Sequence, residues 1–480
     1  MTPASAADPK RWWALAVIAL AQLMVILDGT IVNIALPSAQ RALGMPDADR
    51  QWVITAYTLA FGGLLLLGGR IADLVGRKRA FVIGLAGFAV ASALGGAAAG
   101  PGTLFAARAL QGAFAAVLAP SALSLLTTTF TDPRERAKAF GVYGALAGGG
   151  SGAGLLVGGL LTEYLNWRWC LYVNVPVALA ALIGAQVFLR DRSGRRGGHL
   201  DVPGVLLGSG GLVALVYGFS EAGPRGWTSP WVAAPLMAGV ILLAAFVWWQ
   251  HRAAGPLLPL RIFRDRSRAG AFATMGLATI GMFGVFLFLT YYFQAVLGYP
   301  PVRTGLAFMP VSVGIVIGAT QIAARLLPRT APHTLMASGM VLAAAGMVLL
   351  SRLTVHAQYV PHVLPGLLLV GLGMGLTFMP VYATATVGVP TQDTGAASAA
   401  LTTVQQIGAS LGTALLNTIA TGATGRHSRA DSGTALAEAM VHGFSVAYWC
   451  SAGVLLLAAL VAALTVRRGK PSQAGSKPSA

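Results

Sequence analysis

Apolar residues dominate the chain in runs of about 20, separated by short segments rich in charged residues, proline and glycine. Each run can cross the ~30 Å hydrocarbon core of a bilayer as a helix. The predicted spans are 12–36, 52–72, 80–99, 102–128, 139–161, 169–189, 201–220, 231–250, 269–293, 303–326, 333–351, 359–385, 398–421 and 443–466. The pattern therefore predicts an all-α integral membrane protein with about 14 transmembrane helices.

Composition agrees with this pattern over the whole length. The 480 residues are 56% hydrophobic and 10% charged, with a mean hydropathy of +0.70. Soluble domains carry roughly 25% charged residues. The 61 glycines suit helices that associate by close backbone approach. No stretch has the mixed-charge composition of a soluble catalytic domain, so lipid is the expected main solvent.

Two long inner loops, 190–200 and 251–268, bracket a pair of spans and indicate a 6 + 2 + 6 division. The predicted parts are an N-terminal six-helix half (1–190), a two-helix linker with cytoplasmic loops (191–268), a C-terminal six-helix half (269–466) and a disordered tail (467–480). Two six-helix halves are typical of a duplicated transporter with its substrate site between them, near the midplane.

The basic residues predict the orientation. An even number of spans puts both termini on one side of the membrane. With the N-terminus inside, inner loops and tails hold 24 of the 33 lysines and arginines, and outer loops hold eight. This bias follows the positive-inside rule, and the Ala-, Gly- and Arg-rich composition is typical of a GC-rich bacterium. We therefore expect a bacterial inner membrane protein with cytoplasmic termini. Its net charge of +18 favours contact with lipid headgroups over nucleic acid.

The first span and the cysteines each allow a second interpretation. Lys10 and Arg11 precede an apolar run, as in a signal peptide, but the run is too long and lacks a clear cleavage site. A retained first helix is therefore predicted. Cys170 and Cys450 lie in apolar runs, where packing needs no partner and a disulfide or metal site needs further ligands. The seven histidines show no metal-ligand spacing. We expect neither a metal nor a cofactor.

Two charged residues lie deep within predicted spans. Asp28, in the segment LDGTIVNIALP (27–37), is ~24 Å along the first helix. Arg108 is ~9 Å into a helix that starts outside, so the two depths match. Ionisable residues inside membrane helices are functional candidates. Two interpretations stay open: a structural ion pair, or an Asp28 that binds and releases a proton.

The segment LDGTIVNIALP also resembles the first-helix signature of the 14-helix drug:proton antiporter branch of the major facilitator superfamily. Four other segments resemble superfamily motifs: GGRIADLVGRKR (68–79) between helices two and three, RALQG (108–112) in helix four, GLLVGG (154–159) in helix five and NWRWCLYVNVP (166–176) at the start of helix six. The resemblance covers essentially the whole chain. It implies a drug exporter in which Asp28 and Arg108 couple transport to protons.

One position departs from the fifth-helix signature. The proline that usually follows its glycine is replaced by Leu155. Gly154, Gly158 and Gly159 remain, so close packing of this helix is still expected. A proline kink is not expected there, which weakens the inference of antiport but not that of the fold.

The motif between helices two and three implies a gate. Gly69 and Gly76 let two inner helix ends approach each other. By resemblance, Asp73 pairs with a neighbouring helix in one state and releases it in the other, close to Arg77. The alternative is a plain basic cluster that obeys the positive-inside rule. The second half of the chain has no clear copy of the motif.

The resemblance also implies a cavity lined by helices one, two, four, five, nine, ten, twelve and thirteen. The candidate substrate contacts are Gln22, Asn33, Tyr57, Gln111, Phe114, Met282, Phe286, Tyr291, Tyr292 and Gln405. Methionine and aromatic side chains adapt to varied apolar ligands, although ordinary helix or lipid contact is the alternative for each. The second half has no deep acid, which favours neutral, zwitterionic or monocationic amphipathic substrates.

Together these features predict a proton-coupled exporter of drugs, antibiotics or other amphipathic small molecules. It would act as a monomer by alternating access, without nucleotide. Proton-coupled uptake or facilitative transport stays open because of Leu155. A membrane enzyme or receptor would need a polar catalytic cluster or a large extramembrane domain, and the longest outer loop, 422–442, is too short for one.

Overall fold

The structure is a computed structural model of the chain. It describes residues 11–466 except 48, 131, 190–200, 254–255, 259, 328, 387–388, 390–393 and 431–435. Besides one short 3₁₀ helix at Leu260–Arg264, these residues form fourteen helices and no β-strand. They are α1 (Arg11–Leu43), α2 (Trp52–Val75), α3 (Arg77–Gly96), α4 (Pro101–Thr129), α5 (Pro133–Tyr164), α6 (Trp169–Phe188), α7 (Val202–Arg225), α8 (Pro230–Arg252), α9 (Arg266–Val296), α10 (Pro301–Leu326), α11 (Pro332–Leu350), α12 (Tyr359–Thr386), α13 (Thr394–Ala430) and α14 (Leu436–Thr465). The predicted all-α fold with about 14 helices is confirmed.

The length and the composition of these helices suit a membrane. Within the described residues, eleven are long and apolar enough to cross a bilayer. Pro101, Pro301 and Pro332 stand at the first helical positions, where a missing N–H costs no hydrogen bond. The turn between α2 and α3 is the single residue Gly76, whose φ of 102° lies in the left-handed region that favours glycine.

The described residues form two compact units. The first takes in Met1–Gly218, Ala233–Leu257 and Tyr299–Leu306, and the second takes in Phe219–Val232, Leu258–Gly298 and Ala307–Ala480. The division into 1–190, 191–268 and 269–466 stays a prediction. The predicted loop 190–200 and the tail 467–480 lie outside the described residues.

In the first unit, α5 lies against α1 through its glycines. A Cβ on Gly154 would collide with Thr30, and a Cβ on Gly158 would lie 2.7 Å from the carbonyl oxygen of Ile31. Side chains do not fit at these positions, so the two backbones approach closely along the stretch of α1 that carries Asp28. The predicted close packing of this helix is therefore present.

The same helix continues unbroken through Leu155, which is fully buried, so the structure shows no proline kink there. The C-terminal end of this helix meets the first turn of α10. A Cβ on Gly159 would lie 2.6 Å from the carbonyl oxygen of Pro301. The Glu163 carboxylate accepts a hydrogen bond from the Val302 N–H at 2.8 Å. A carboxylate at this position compensates an unpaired N–H at the start of α10.

Helices α7 and α8 are held together at one end by a buried carboxylate. Asp201, just before α7, accepts hydrogen bonds from Trp249 Nε1 at 2.6 Å and Gln250 Nε2 at 2.7 Å, both on α8. It also accepts the Gly204 N–H at 3.0 Å as the N-cap of α7. Burial opposes ionisation of Asp201, but these hydrogen bonds outweigh it and hold its pKa below the ordinary value.

Replacing Gly158 with valine should destabilise the protein, because the added side chain meets the α1 backbone. We expect a loss of roughly 1–3 kcal/mol, the usual cost of overpacking, measured as a lower thermal unfolding midpoint in detergent. Gly453→Val is the matched control, since a Cβ at Gly453 meets nothing within 4 Å. Equal midpoints for the two variants would show that the α1–α5 approach does not require glycine.

The Asp201 contacts should make stability depend on pH. Because its pKa is lowered in the folded protein, its contribution is present above the ordinary Asp value of about 4 and is lost as the pH falls through the lowered pKa. Unfolding midpoints of wild type and Asp201→Asn should therefore differ at neutral pH and converge in acid. A difference that stays constant across this range would contradict the assignment.

Candidate functional site

Asp28 lies about halfway along α1 and is fully buried. Three side chains donate hydrogen bonds to its carboxylate. Arg108 Nη1 lies 2.6 Å from Oδ2, while Gln111 Nε2 and Asn174 Nδ2 lie 3.0 and 2.8 Å from Oδ1. The predicted ion pair between α1 and α4 is thus present in the structure, and two amide groups complete the surroundings of the carboxylate.

Arg108 is held on three sides. Its side chain is 2% exposed. Beyond the ion pair, Nε donates to the Val53 carbonyl at 3.0 Å, and the guanidinium lies 4.4 Å from the centroid of the Tyr57 ring. Gly112 lets α2 come this close to α4, since a Cβ there would collide with the Tyr57 carbonyl. The motif RALQG therefore supplies both the cation and the space for its partners on α2.

Behind the pair, Ser92 on α3 links the two amide groups. Its hydroxyl oxygen accepts from Gln111 Nε2 at 3.0 Å and from Asn174 Nδ2 at 2.9 Å, and the hydroxyl donates to the Leu171 carbonyl at 2.7 Å. Ser92 and Gln111 are fully buried, and Asn174 is 2% exposed. Side chains from α1, α3, α4 and α6 thus form one hydrogen-bonded cluster.

The sequence of α6 explains how Asn174 reaches this cluster. Pro176 has no N–H to donate to the carbonyl four residues earlier and its ring crowds that carbonyl, so the helix is irregular at Val173. This break lies between Leu171, whose carbonyl receives the Ser92 hydroxyl, and Asn174, whose amide contacts Asp28. The segment NVP in the helix-six motif therefore places two groups of the cluster.

A small cavity adjoins Arg108 on the side toward the C-terminal end of α1. It is lined mainly by apolar side chains, among them Val32, Leu36, Val53 and Leu104. Its volume has room for about one water molecule. The cavity is therefore far too small for a drug-sized molecule.

The predicted substrate contacts of the first unit fall in two groups. Tyr57 and Gln111 belong to the surroundings of the ion pair. Asn33 is buried and donates to the Gly29 and Thr30 carbonyls of its own helix, at 3.3 and 3.2 Å. Gln22 and Phe114 are half-buried, and Phe114 packs against the apolar core of this unit. Their roles toward a substrate stay predictions.

In the second unit, aromatic residues gather at the end of α9. Phe286 and Phe293 both contact the ring of Phe308, with centroids 5.6 Å apart in each pair. Tyr292 is buried and donates its hydroxyl to the Thr354 carbonyl at 2.7 Å. Tyr291 is also buried. The predicted aromatic face is therefore a packed cluster in this structure, and its contact with substrate stays a prediction.

Two other predicted contacts of this unit are more accessible. Met282 on α9 and Gln405 on α13 are half-buried. Gln405 Oε1 accepts a hydrogen bond from the Tyr382 hydroxyl at 3.3 Å. These side chains are the better placed of the second-unit candidates to meet a ligand.

The predicted gate motif forms the turn between α2 and α3. Arg77 begins α3 directly after Gly76. Gly69 has only an ordinary contact with Pro120, whereas a Cβ on its neighbour Gly68 would collide with the Ala116 carbonyl. Gly68 is therefore the glycine that allows close packing of α2 on α4. Asp73 lies in α2, and its side chain is outside the described part of the structure.

Residues 18–413 match the sequence profile of the Major Facilitator Superfamily. The chain belongs to this superfamily. The match confirms the resemblance carried by the five motifs and the expectation of a transporter rather than an enzyme.

Relatives within the superfamily cover nearly the whole chain. The chain is 58% identical to the puromycin resistance protein pur8 of Streptomyces alboniger over 460 residues, 95% of this chain and 91% of that one. It is 39% identical to the cephamycin export protein CmcT of Amycolatopsis lactamdurans over 409 residues, 85% and 84% of the two chains. The crystal structure of the POT family transporter PepTSo superposes with a TM-score of 0.71 at 16% identity, covering 95% and 97%, and shows the shared fold alone.

The superfamily motifs quoted from the sequence account for most of the cluster but not for all of it. Ser92 was missed, and Asn174 was quoted within a motif without a role. A serine between apolar residues of a membrane helix is a weak signal, since it often bonds to its own backbone. The stronger signal was the pair Asn174 and Pro176, because a proline inside a span frees backbone groups that need other partners.

A double-mutant cycle tests the ion pair in this superfamily member. Arg108→Gln leaves a buried carboxylate and Asp28→Asn leaves a buried guanidinium, so each should lower the stability by about 3–5 kcal/mol. The double variant Asp28→Asn/Arg108→Gln leaves no charge and should recover part of this loss. The measurement is the free energy of unfolding in detergent. Additive losses would contradict a direct pairing of the two residues.

Proposed function

We propose that this transporter exports amphipathic antibiotics or related small molecules in exchange for protons, and that Asp28 carries the proton. The observation that supports this most strongly is the fully buried Asp28 carboxylate, paired with Arg108 inside the membrane-spanning part of the chain. Such pairs contribute little net stability compared with well-packed apolar residues. A role in proton exchange explains why a carboxyl group occupies this position.

Protonation of Asp28 alters its contacts in a defined way. The neutral carboxyl group loses most of its attraction for Arg108, which then remains as an uncompensated buried cation. Binding and release of the proton therefore favour two different arrangements of α1 and α4. In one arrangement the substrate site is exposed to one side of the membrane, and in the other arrangement it is exposed to the opposite side. At ~150 mV, one charge moved provides ~3.5 kcal/mol, or a roughly 300-fold gradient.

The substrate class rests on the relatives and on the candidate contacts. One relative is named for puromycin resistance and another for cephamycin export. At 58% identity over 95% of the chain, the first makes puromycin the natural first probe. Met282 offers an apolar group on α9, and Gln405 offers a polar group on α13. We keep neutral, zwitterionic or monocationic compounds as the expected substrates.

The remaining features of the proposal concern assembly and location. The transporter acts as a monomer in the cytoplasmic membrane of a bacterium, with both termini inside and basic inner loops on anionic lipid. The halves 1–190 and 269–466, joined by 191–268, form the moving parts. The gate at Gly69, Asp73, Gly76 and Arg77 responds to this movement. Near it, Lys78 Nζ donates to the Gln186 carbonyl at 3.3 Å, which ties the start of α3 to the end of α6.

Transport in proteoliposomes tests the proposal. Wild-type protein should move puromycin against its concentration gradient when a pH gradient is imposed, and Asp28→Asn should lose this movement while it still binds puromycin. The physical reason is that asparagine keeps the shape of the side chain but cannot exchange a proton. The measurements are puromycin flux and the accompanying proton flux.

Asp201→Asn provides the matched control, because it also removes a buried, hydrogen-bonded carboxylate but lies at the end of α7. It should keep gradient-driven transport. Undiminished proton-driven flux in Asp28→Asn would contradict the role of Asp28. Accumulation of puromycin in the direction of proton flow would instead indicate proton-coupled uptake, and flux without any response to pH would indicate a facilitative carrier.

A further inference from the structure

We infer that Ser92 and Asn174 are positioning residues that bias Asp28 toward its ionised form and so set the pH at which the carrier takes up a proton. This inference rests on the proposed role of Asp28 in proton coupling. It assigns a function to the hydrogen bonds that surround the ion pair, and it follows from the directions in which those bonds must run.

The direction at Gln111 is fixed by Arg108. A guanidinium has only donors, so the amide atom 2.9 Å from Arg108 Nη1 is the oxygen Oε1. The amide nitrogen therefore faces the other way, toward Asp28 Oδ1 and Ser92 Oγ. Gln111 thus acts as an acceptor toward the cation and as a donor toward the anion.

The direction at Asn174 is fixed by Ser92. The Ser92 hydroxyl has one hydrogen, and this hydrogen is donated to the Leu171 carbonyl at 2.7 Å, since a carbonyl can only accept. The Ser92 oxygen can then only accept from its other two neighbours, Gln111 and Asn174. Asn174 must therefore turn its NH₂ group toward Ser92 and Asp28, at 2.9 and 2.8 Å.

The result is a carboxylate that faces donors. Oδ2 receives Arg108, and Oδ1 receives both Gln111 and Asn174. A proton bound to Asp28 makes the group a donor as well, and none of these three neighbours turns an acceptor toward it. A proton on the remaining lone pair of Oδ2 would therefore find no acceptor among these three neighbours, unless an amide rotates or Arg108 withdraws. While Ser92 stays bonded to the Leu171 carbonyl, rotation of the Asn174 amide would place an oxygen against another acceptor.

The titratable groups around Asp28 act beside this bias. Arg108 on α4 is the charged group that faces Asp28, and its charge also favours the ionised form. Tyr57 on α2 lies against Arg108, whose guanidinium is 4.4 Å from its ring centroid, and Cys170 on α6 contacts the Thr162 hydroxyl at 3.3 Å. Tyr57 and Cys170 are neutral donors of weak acidity in ordinary conditions. Gln111 contacts both Asp28 and Arg108, so within the described cluster Ser92 and Asn174 are the uncharged groups that can be removed without removing a partner of Arg108.

Infrared titration in detergent measures the effect without requiring transport. The carboxyl band that disappears in Asp28→Asn is followed against pH in wild type, Asn174→Leu and Ser92→Ala. Asn174→Leu removes a hydrogen bond to the ionised group, so the midpoint should move to higher pH by about one unit, a tenfold gain in proton affinity. Ser92→Ala acts through the amides and should move the midpoint in the same direction by a smaller amount.

Two variants separate positioning from packing. Ser121→Ala removes another fully buried serine hydroxyl, which bonds within α4 to the Val117 carbonyl at 2.7 Å, and it should leave the midpoint unchanged. Ser92→Thr keeps a hydroxyl and should retain the wild-type midpoint. The pH at half-maximal puromycin-triggered proton release should move in parallel with the infrared midpoint.

Failure of this inference can be told apart from failure of the proposed function. If Asn174→Leu and Ser92→Ala fold and bind puromycin but titrate at the wild-type pH, the two residues only pack the helices and the inference is wrong. The same holds if Ser121→Ala shifts the midpoint equally. If Asp28→Asn still releases protons on adding puromycin, the proposed coupling role is wrong, whatever the infrared midpoints show.

Discussion

A charge buried in the apolar interior of a membrane protein must be neutralised where it lies, and this constraint organises the first unit. The charge of Asp28 is neutralised by Arg108, whose Nη1 lies 2.6 Å from the carboxylate oxygen Oδ2. The remaining polar atoms of both groups need further partners. Those partners are the Val53 carbonyl, Gln111 and Asn174, and Ser92 in turn accepts hydrogen bonds from the two amides. One ion pair thus requires α1, α2, α3, α4 and α6 to converge within hydrogen-bond distance of a single point.

Convergence of this kind needs helices that approach more closely than ordinary side chains permit. Gly112 brings α2 to α4, while Gly154 and Gly158 bring α5 to α1. In lipid, where apolar side chains gain little from leaving the solvent, such backbone contact is a main source of helix association. The glycines and the charged residues of the sequence motifs therefore serve the same arrangement. The glycines set the spacing between helices, and the charged residues need that spacing to make their contacts.

The membrane spans could be predicted well because a hydrocarbon core fixes the length of each apolar run. Their ends could not. The first span, predicted at 12–36, continues to Leu43, and the span predicted at 398–421 belongs to a helix of Thr394–Ala430. Hydropathy marks only the part of a helix that crosses the hydrocarbon core. The backbone hydrogen bonds of the helix continue into the interface, where polar side chains are tolerated as well as apolar ones.

Of the site, only the depth of its two charged residues along the helices could be predicted. The regular rise of a helix gave Asp28 and Arg108 matching depths, and the structure places them in contact. No comparable rule predicts how each helix is rotated about its own axis, and therefore which side chains face one another. Asn174 could not be placed because its position depends on the irregular turn at Val173, and Ser92 could not be placed because its partners lie on other helices.

A cluster built around one compensated charge pair has a further consequence for coupling. In the structure the charges of Asp28 and Arg108 cancel. A proton on Asp28 leaves a net positive charge in the interior, and such a charge without a partner costs several kcal/mol. That cost can be reduced by water, by rearrangement of the helices or by a ligand group that accepts from Arg108. Each of these routes changes the structure around the pair, so the proposed protonation of Asp28 would be linked to conformational change by the cost of the buried charge itself.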